Sequence, residues 1–198
     1  MQPRLFIHFP ALAFALILSQ AISSSAQSRD YLTPAVIDLV KEAQALDKRI
    51  DVFIKAAQRR MTIVTGTPAS TPASNSKQAK KEAELWGDAP VGSRAELLGD
   101  IAKILDAAID NIDDVSFHDE KSPLLPKALR KLSAAATQFI TQLEPLRSQA
   151  KSEAEFGNVT DAIEKSESII EAAMKLPAVT EPEKAGKEKK PKEKPSGA

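Results

Sequence analysis

Apolar residues recur at alternating spacings of three and four in four separate segments of this sequence. A period near 3.6 residues places such side chains on one side of an α-helix, whereas a half-buried strand would alternate every second residue. The first segment predicts one helix over residues 34–64, with Thr33 as its N-cap, Pro34 at its first position and Gly66 at its end. Its apolar stripe is Val36, Leu39, Ala43, Leu46, Ile50, Phe53 and Ala57.

Three further stripes predict three more helices. Helix 2 opens with a capping box, Ser93 and Glu96, in which each side chain satisfies a free backbone N–H. Helix 3 begins at Ser122–Pro123, and Pro145 is expected to end or kink it because proline removes a helical hydrogen bond. Helix 4 begins at Ser152 with a possible second capping box. The three stripes are Leu98, Ile101, Leu105, Ala108, Ile112 and Val115; Leu129, Leu132, Ala136, Phe139 and Leu143; and Phe156, Val159, Ile163, Ile170 and Ala173.

Two segments of the chain lack this periodicity. Within residues 66–92, the sequence Thr-Pro-Ala-Ser occurs twice in succession over residues 67–74, which predicts an extended linker with little to bury. A short helix over residues 76–86 is compatible with the rest of that segment, and Trp86, the only tryptophan, is expected to pack against a core. Residues 178–198 contain six lysines, four glutamates and three prolines, which predicts a disordered tail.

The N-terminus is typical of a signal peptide. A single basic residue, Arg4, precedes an apolar run over residues 5–18. Ser24 and Ala26 are small residues at the positions that a signal peptidase reads, so cleavage after Ala26 is expected, with cleavage after Ala21 as the alternative. An uncleaved membrane anchor is the competing interpretation, but the apolar run is short of the roughly 20 residues that a spanning helix needs.

This division gives the expected domain organisation: a signal peptide over residues 1–26, a helical bundle over residues 27–177 and the tail over residues 178–198. The chain contains no cysteine, so disulfides cannot stabilise it and an ordinary apolar core must. We expect an exported protein, periplasmic or extracellular, with a bacterial origin favoured over a eukaryotic secretory route. No stable membrane insertion is expected after the leader is removed.

Each predicted helix has one apolar side, which it must cover against the others. Short loops join helices 2 and 3 and helices 3 and 4, and such loops favour antiparallel neighbours. The predicted fold class is therefore all-α: an antiparallel four-helix up-and-down bundle with a Thr/Pro/Ala/Ser linker and a disordered Lys/Glu/Pro tail.

The net charge alternates in sign from helix to helix. It is +2 over residues 29–60, −5 over residues 94–121, +4 over residues 127–151 and −4 over residues 153–175. This alternation predicts that the acidic end of helix 2 lies beside the basic start of helix 3. The residues expected to face one another are Asp106, Asp110, Asp113 and Asp114 on one side and Lys127, Arg130 and Lys131 on the other. A parallel homodimer would place like charges together, so a monomer is expected.

The end of helix 2 holds the densest group of possible metal ligands. The candidates are Asp110, Asp113, Asp114, His118 and Asp119. Calcium favours several oxygen ligands in a tight loop, but the glycine-containing calcium loop pattern is missing here. A transition metal would have to use His118 with carboxylates. Runs of charge are usually solvated helix faces, so we expect such a face and keep a cation site as the alternative.

The sequence gives no support to catalysis. His118 is the only histidine after the leader, and without cysteine a Ser/His/Asp set would have to recruit that one loop residue. The motifs for covalent haem, for a di-iron bundle and for a phosphate-binding loop are missing, so we expect no enzyme and no cofactor. Phe139, Phe156 and Met174 are expected to be core residues, with a ligand cavity between helices as the alternative.

The leading functional hypothesis is an exported helical scaffold or binding module that contacts an unknown protein or envelope component. The alternative is a sensor or carrier that holds a small ligand or a cation in the bundle or at its acidic corner. The lysines of the tail would suit an anionic surface, but interleaved glutamates favour a solubilising role. Nucleic acid is not expected as a partner, because the chain is exported and its formal net charge is zero.

Overall fold

A computed structural model describes residues 30–66 and 76–177, and these residues are predominantly helical. They form six helices and no strand. The helices are α1 (Pro34–Glu42), α2 (Leu46–Thr65), α3 (Ser76–Trp86), α4 (Arg94–His118), α5 (Leu124–Ser148) and α6 (Glu153–Met174). The predicted signal peptide, the Thr-Pro-Ala-Ser repeat and the predicted tail lie outside the described residues.

Several helix ends form as predicted from local sequence. The hydroxyl of Thr33 accepts a hydrogen bond from the amide of Val36, and Pro34 follows it in the first turn of α1. Ser93 and Glu96 form the complete capping box of α4, because the Ser93 amide donates to the Glu96 carboxylate (2.7 Å) and the Glu96 amide donates to the Ser93 hydroxyl (3.2 Å). Gly66 ends α2 with a φ of 65°, a conformation that glycine adopts without strain.

The prediction of one helix over residues 34–64 is wrong, because the chain leaves the helix between Ala43 and Ala45. The backbone ψ angles there are 89° and 136°, and Ala45 caps α2 without a side-chain hydrogen bond. A side-chain N–H of Arg60, far along α2, then donates to the carbonyl of Tyr31, just before α1. The two helices therefore form a hairpin in which α1 folds back along α2.

Burial explains this break, which no glycine or proline in the segment predicts. Arg49 of α2 bonds to Asn111 of α4, and α4 extends only to His118 beyond that level. A continuous helix would carry its first residues past the end of α4 and leave them in water, since each residue adds about 1.5 Å. In the hairpin Val36 is fully buried in the core. Tertiary burial thus overrides the local preference for helix at Ala43–Ala45.

Predicted helix 3 is α5, and its start differs from the prediction, as does one of the two alternatives for Pro145, that it ends the helix. The hydroxyl of Ser122 does not cap α5, which begins at Leu124 with no side-chain cap hydrogen bond. Pro145 does not end the helix, because α5 continues to Ser148. A proline inside a helix costs about 3 kcal/mol or more. Burial of Leu146 on the far side of the proline offsets part of that cost, since a buried leucine contributes about 1.5–3 kcal/mol.

The core draws side chains from five helices and matches most of the predicted stripes. Its buried residues include Val36 from α1; Leu46, Ile50, Phe53, Ala57 and Met61 from α2; Leu98, Ile101, Leu105, Ala108 and Ile112 from α4; Leu132, Ala136, Phe139 and Leu143 from α5; and Val159, Ile163 and Ile169 from α6. Phe156 and Met174 depart from the prediction, because they are 53% and 77% exposed. Both residues are close to the ends of α6, where no neighbouring helix covers them.

Side-chain contacts give the direction of each packed pair of helices. Arg49 meets Asn111, and Arg60 meets Asp100, so α2 and α4 run antiparallel. The first turns of α5 lie against the first turns of α2, where Lys131 pairs with Asp51, so these two helices run the same way.

The direction of α6 follows from contacts at both of its ends. The side-chain amide of Asn158, early in α6, donates to the carbonyl of Ala95, early in α4, so these two helices run parallel. Arg130, early in α5, donates to the carbonyl of Pro177 just after α6, so α5 and α6 run antiparallel.

Helices α4 and α5 follow one another in the chain, yet each packs mainly on α2 and α6. The ion pairs therefore differ from those predicted. Lys127 pairs with Asp47 of α2, and Asp106 pairs with Lys165 of α6. Burial decides the order of the helices, because an exposed ion pair contributes only about 0–1 kcal/mol.

Candidate functional site

The predicted acidic corner lies in the last turns of α4 and just beyond them. Its members, Asp110, Asp113, Asp114, His118 and Asp119, are all exposed. His118 stays within its own helix: its Nδ1 atom lies 2.8 Å from the carbonyl oxygen of Asp114 and 3.5 Å from the carboxylate of the same residue. Its ring meets Phe117 edge to face, with the ring centroids 5.3 Å apart.

These candidates are not gathered around a common point. Within the described part of the chain, no group of three or more histidine, aspartate or glutamate side chains is placed to hold a metal ion. The carboxylates follow one another along a helix surface, where exposed side chains remain hydrated. The geometry therefore gives the cation hypothesis no support from ligand placement.

A buried ion pair between α2 and α4 is the main feature that sequence reasoning missed. The guanidinium of Arg60 and the carboxylate of Asp100 have side chains only 1% and 5% exposed, and their Nε–Oδ2 distance is 3.2 Å. Arg60 also donates to the carbonyls of Ala56 and Tyr31. A buried charge is tolerated when it is paired and its remaining donors find acceptors, which this arrangement provides.

The sequence does contain a signal for this pair. Arg60 falls three residues after Ala57 on the apolar side of α2, and Asp100 lies between Leu97 and Ile101 on the apolar side of α4. Charged residues of opposite sign on the inner sides of two helices predict an internal pair once the helices are known to be neighbours. The sequence alone left that adjacency open.

Arg59, which precedes Arg60 on α2, connects α3 to the rest of the molecule. Its guanidinium donates to the carbonyls of Trp86 (2.8 Å), Gly87 (3.0 Å) and Asp88 (3.0 Å). It also lies 5.9 Å from the centroid of the Trp86 ring, a cation–π distance. Trp86 packs against the core as predicted. Three carbonyls at the end of α3 thus share one cation, which suits the negative end of a helix.

A second buried acid is Asp47 of α2, which pairs with two lysines of α5. Its carboxylate lies 2.7 Å from the ammonium of Lys127 and 3.7 Å from that of Lys131. The close contact with the Lys127 ammonium lowers the pKa of Asp47 below its ordinary value of 3.8, and the charges of Lys127, Lys131 and Lys48 lower it further against the opposing effect of burial. The ionised form of Asp47 is therefore the one that ties α2 to α5.

The surface where α4 and α6 lie side by side is acidic, and we call it the acidic face. Its carboxylates are Asp106, Asp110 and Asp113 of α4 and Asp161 and Glu164 of α6. The exposed Lys103 lies one turn before Asp106 on α4, and Lys165 of α6 contacts Asp106 at 2.6 Å. That hydrogen bond raises the pKa of Lys165, and the charges of Asp106, Asp161 and Asp110 raise it further. The other four carboxylates are exposed and make no ion pair with described residues.

The order of the helices separates charge across the molecule. Helices α4 and α6, which are neighbours, together contain twelve acidic residues and three basic ones. Helices α2 and α5, also neighbours, together contain nine basic residues and three acidic ones. Alternation of charge along the sequence thus becomes segregation of charge in the fold, because helices of the same sign lie side by side.

Comparisons with models of protein families, with curated proteins and with solved structures found no match for this chain. No helix among the described residues combines the length and the apolar character needed to cross a membrane. The buried charges of Arg60 and Asp100 satisfy each other and backbone carbonyls, and the buried Asp47 pairs with lysines of α5, so these charges serve the fold. The exposed carboxylates of the acidic face make no ion pair with described residues, so they remain accessible to another molecule.

Proposed function

We propose that the chain is exported and acts as a helical scaffold or binding module that contacts another protein or an envelope component. The acidic face is the observation that carries this proposal. Its exposed carboxylates contribute little to folding, because exposed charges without a partner gain almost no stability. They repel one another in the free protein, and a cationic group placed beside them would relieve that repulsion.

The proposal includes a specific architecture. Helices α2, α4, α5 and α6 form a four-helix up-and-down bundle, with α1 and α3 attached to it through Arg60 and Arg59. A bundle of this kind presents its side chains on fixed helical surfaces, which suits recognition by contact. The role is noncatalytic, and the protein works as a monomer in the periplasm or outside the cell.

The sign of the exposed charge also bears on the class of partner. Carboxylates repel phosphate groups, so nucleic acid is a poor partner for the acidic face. The same repulsion disfavours membranes rich in anionic lipid. A protein or polymer with exposed basic groups is the better match.

A capture experiment with matched variants tests the proposal. Chain 27–198 is immobilised and exposed to an envelope extract, in parallel with a variant that carries Asp110→Asn, Asp113→Asn and Asp161→Asn. The control variant neutralises three exposed carboxylates elsewhere, with Asp38→Asn, Glu42→Gln and Glu84→Gln. A partner held by the wild type and the control but lost by the acidic-face variant supports the proposal. Equal capture by all three proteins would count against it.

The alternative role is a cation-binding sensor at the acidic corner, and it leads to a separate prediction. A cation that binds only the folded state must raise the unfolding midpoint, by an amount set by its concentration relative to Kd. Thermal unfolding with calcium, with zinc and with a chelator would give different midpoints if this role were correct. Identical midpoints would rule it out.

A further inference from the structure

The acidic face ends beside the point from which the last part of the chain departs. Because α4 and α6 run parallel, the end of α6 at Met174 lies at the same end of the molecule as the end of α4. The carbonyl of Pro177 is then held by Arg130 at 2.6 Å, so the position of residue 177 is fixed. Residues 178–198 follow it, outside the described residues.

The charge of that segment is complementary to the acidic face. Residues 184–194 contain six lysines and two glutamates. Four carboxylates of the acidic face, which are exposed and make no ion pair with described residues, are distributed along both helices. The bases near them on these helices are Lys165 and Lys103. Lysines placed along this surface would lie close to several carboxylates at once.

An exposed aromatic side chain lies at the end of this surface, beside the ring of His118. Phe117 lies three helical turns after Asp106, on the same side of α4, and is 88% exposed. A ring this exposed has no role in the core. An ammonium group over its face would gain about 0.5–1 kcal/mol at an exposed site. The side of α4 that carries the carboxylates therefore ends in a group that also favours cations.

The length of the segment is sufficient for this contact. From Met174 back to Asp161 along α6 is thirteen residues, or about 20 Å at 1.5 Å per residue. An extended chain spans up to about 3.3 Å per residue, so the ten residues 178–187 reach about 33 Å. The lysines of residues 184–194 can therefore reach the whole acidic face without disturbing the helices.

We propose that residues 184–194 bind the acidic face of their own chain in the free protein. Each exposed lysine–carboxylate contact contributes at most about 1 kcal/mol. The covalent connection supplies an effective concentration in the millimolar range, which makes such weak contacts sufficient for partial occupancy. The complex is electrostatic and dissolves at high salt, because the Debye length falls from about 10 Å at 0.1 M to about 3 Å at 1 M. This inference concerns the free protein and does not depend on the partner proposed above.

The lack of cysteine makes a distance experiment straightforward. Ser196→Cys in chain 27–198 provides a single site for a nitroxide spin label at the end of the segment. In low salt the label should broaden the backbone amide NMR signals of Asp110, Asp113 and Asp161 several-fold more than those of Thr137 and Thr141, on the outer side of α5. The difference should disappear in 1 M sodium chloride.

Two matched variants and one mixing experiment complete the test. Asp110→Asn, Asp113→Asn and Asp161→Asn together should abolish the selective broadening, whereas Asp38→Asn, Glu42→Gln and Glu84→Gln should leave it intact. A mixture of spin-labelled unenriched protein with unlabelled ¹⁵N protein should show no broadening, since the contact is within one chain. Absent or uniform broadening, insensitivity to the acidic-face substitutions, or equal broadening in the mixture would each overturn the proposal.

Discussion

Charged side chains have opposite roles on helix α2 and on the acidic face. On α2, Arg59 and Arg60 donate to five backbone carbonyls between them, and Arg60 also binds a buried carboxylate. On the acidic face, Asp110, Asp113 and Asp161 are exposed and make no ion pair with described residues. The arginines of α2 stabilise the fold, whereas the carboxylates of the acidic face are solvated.

The position of a charge relative to the apolar stripe decides which use it has. Arg60 is on the apolar side of its helix, so folding removes it from water and only internal partners can compensate it. Asp110 is on the polar side of its helix, where water already solvates it. Substitutions should therefore be costly on α2 and nearly neutral on the acidic face.

The largest effect is expected when the buried pair is broken. Asp100→Asn leaves the charge of Arg60 buried without its partner, which should lower the free energy of unfolding by about 3–5 kcal/mol. Urea denaturation at neutral pH measures this as a lower midpoint at an unchanged slope. The double variant Arg60→Met/Asp100→Leu removes both charges and should recover much of the loss. A change below about 0.5 kcal/mol for Asp100→Asn would show that burial does not make this charge important for stability.

A smaller loss is expected when the contact between α2 and α3 is removed. Arg59→Ala deletes three hydrogen bonds to carbonyls and the cation–π contact, which should cost about 1–3 kcal/mol. Since Trp86 is the only tryptophan, its fluorescence should shift to the red and become easier to quench by iodide. Lys48→Ala, an exposed substitution on the same helix, is the control. An unchanged emission spectrum for Arg59→Ala would show that this arginine does not hold α3.

Two glycines give opposite expectations of about 1 kcal/mol. A Cβ atom at Gly99 of α4 would lie 3.0 Å from the side-chain nitrogen of Asn158, which donates to the carbonyl of Ala95. Gly99→Ala should therefore destabilise by about 1 kcal/mol, because it displaces this hydrogen bond between α4 and α6. A Cβ atom at Gly157 meets nothing within 4 Å, so Gly157→Ala should stabilise by about 0.5–1 kcal/mol through helix propensity. Thermal unfolding of both variants checks the sign, and stabilisation by both would contradict close packing at Gly99.

The pH dependence of stability should separate the two regions further. The pKa of Asp47 is lowered in the folded state, so its contribution is present above the unfolded value and is lost as pH falls through the folded value, below 3.8. The pKa of Lys165 is raised, so its contribution is present below the unfolded value and is lost as pH rises through the folded value, above 10.5. The stability difference between wild type and Asp47→Asn should shrink as pH falls through the folded pKa of Asp47, and that between wild type and Lys165→Gln should shrink as pH rises through the folded pKa of Lys165. A difference that is constant across both ranges would exclude these ionic contributions.

The smallest effect belongs to the exposed carboxylates. Asp113→Asn should change the free energy of unfolding by no more than about 0.5 kcal/mol, because no described side chain pairs with it. Chemical denaturation beside Asp100→Asn gives the comparison directly, since both substitutions neutralise one aspartate of the same helix. A loss of more than about 1 kcal/mol at Asp113 would mean that the acidic face contributes to folding.

Much of the helical structure was predictable because it depends on neighbouring residues. Ser93 and Glu96 define the start of α4 through contacts three residues apart, and Gly66 ends α2 through its own backbone angle. The break at Ala43–Ala45 was not predictable, because alanine is a good helix former and only distant packing opposes it. The buried ion pair was less predictable still. Arg60 and Asp100 lie forty residues apart in the sequence, and nothing local connects them.

The sequence by itself determined most of the helical segments and most of their buried sides, and it contains the N-terminal pattern from which we predict a signal peptide. Only the tertiary structure decided which helices are neighbours, and with them whether alternating charges meet or separate. The physical reason is the sequence distance over which each interaction acts. Helical hydrogen bonds and caps join residues three or four apart, whereas the order of helices depends on apolar area buried between segments far apart in the chain. That burial outweighs the weak attraction of exposed charges, so α4 lies beside α6 and the acidic face exists.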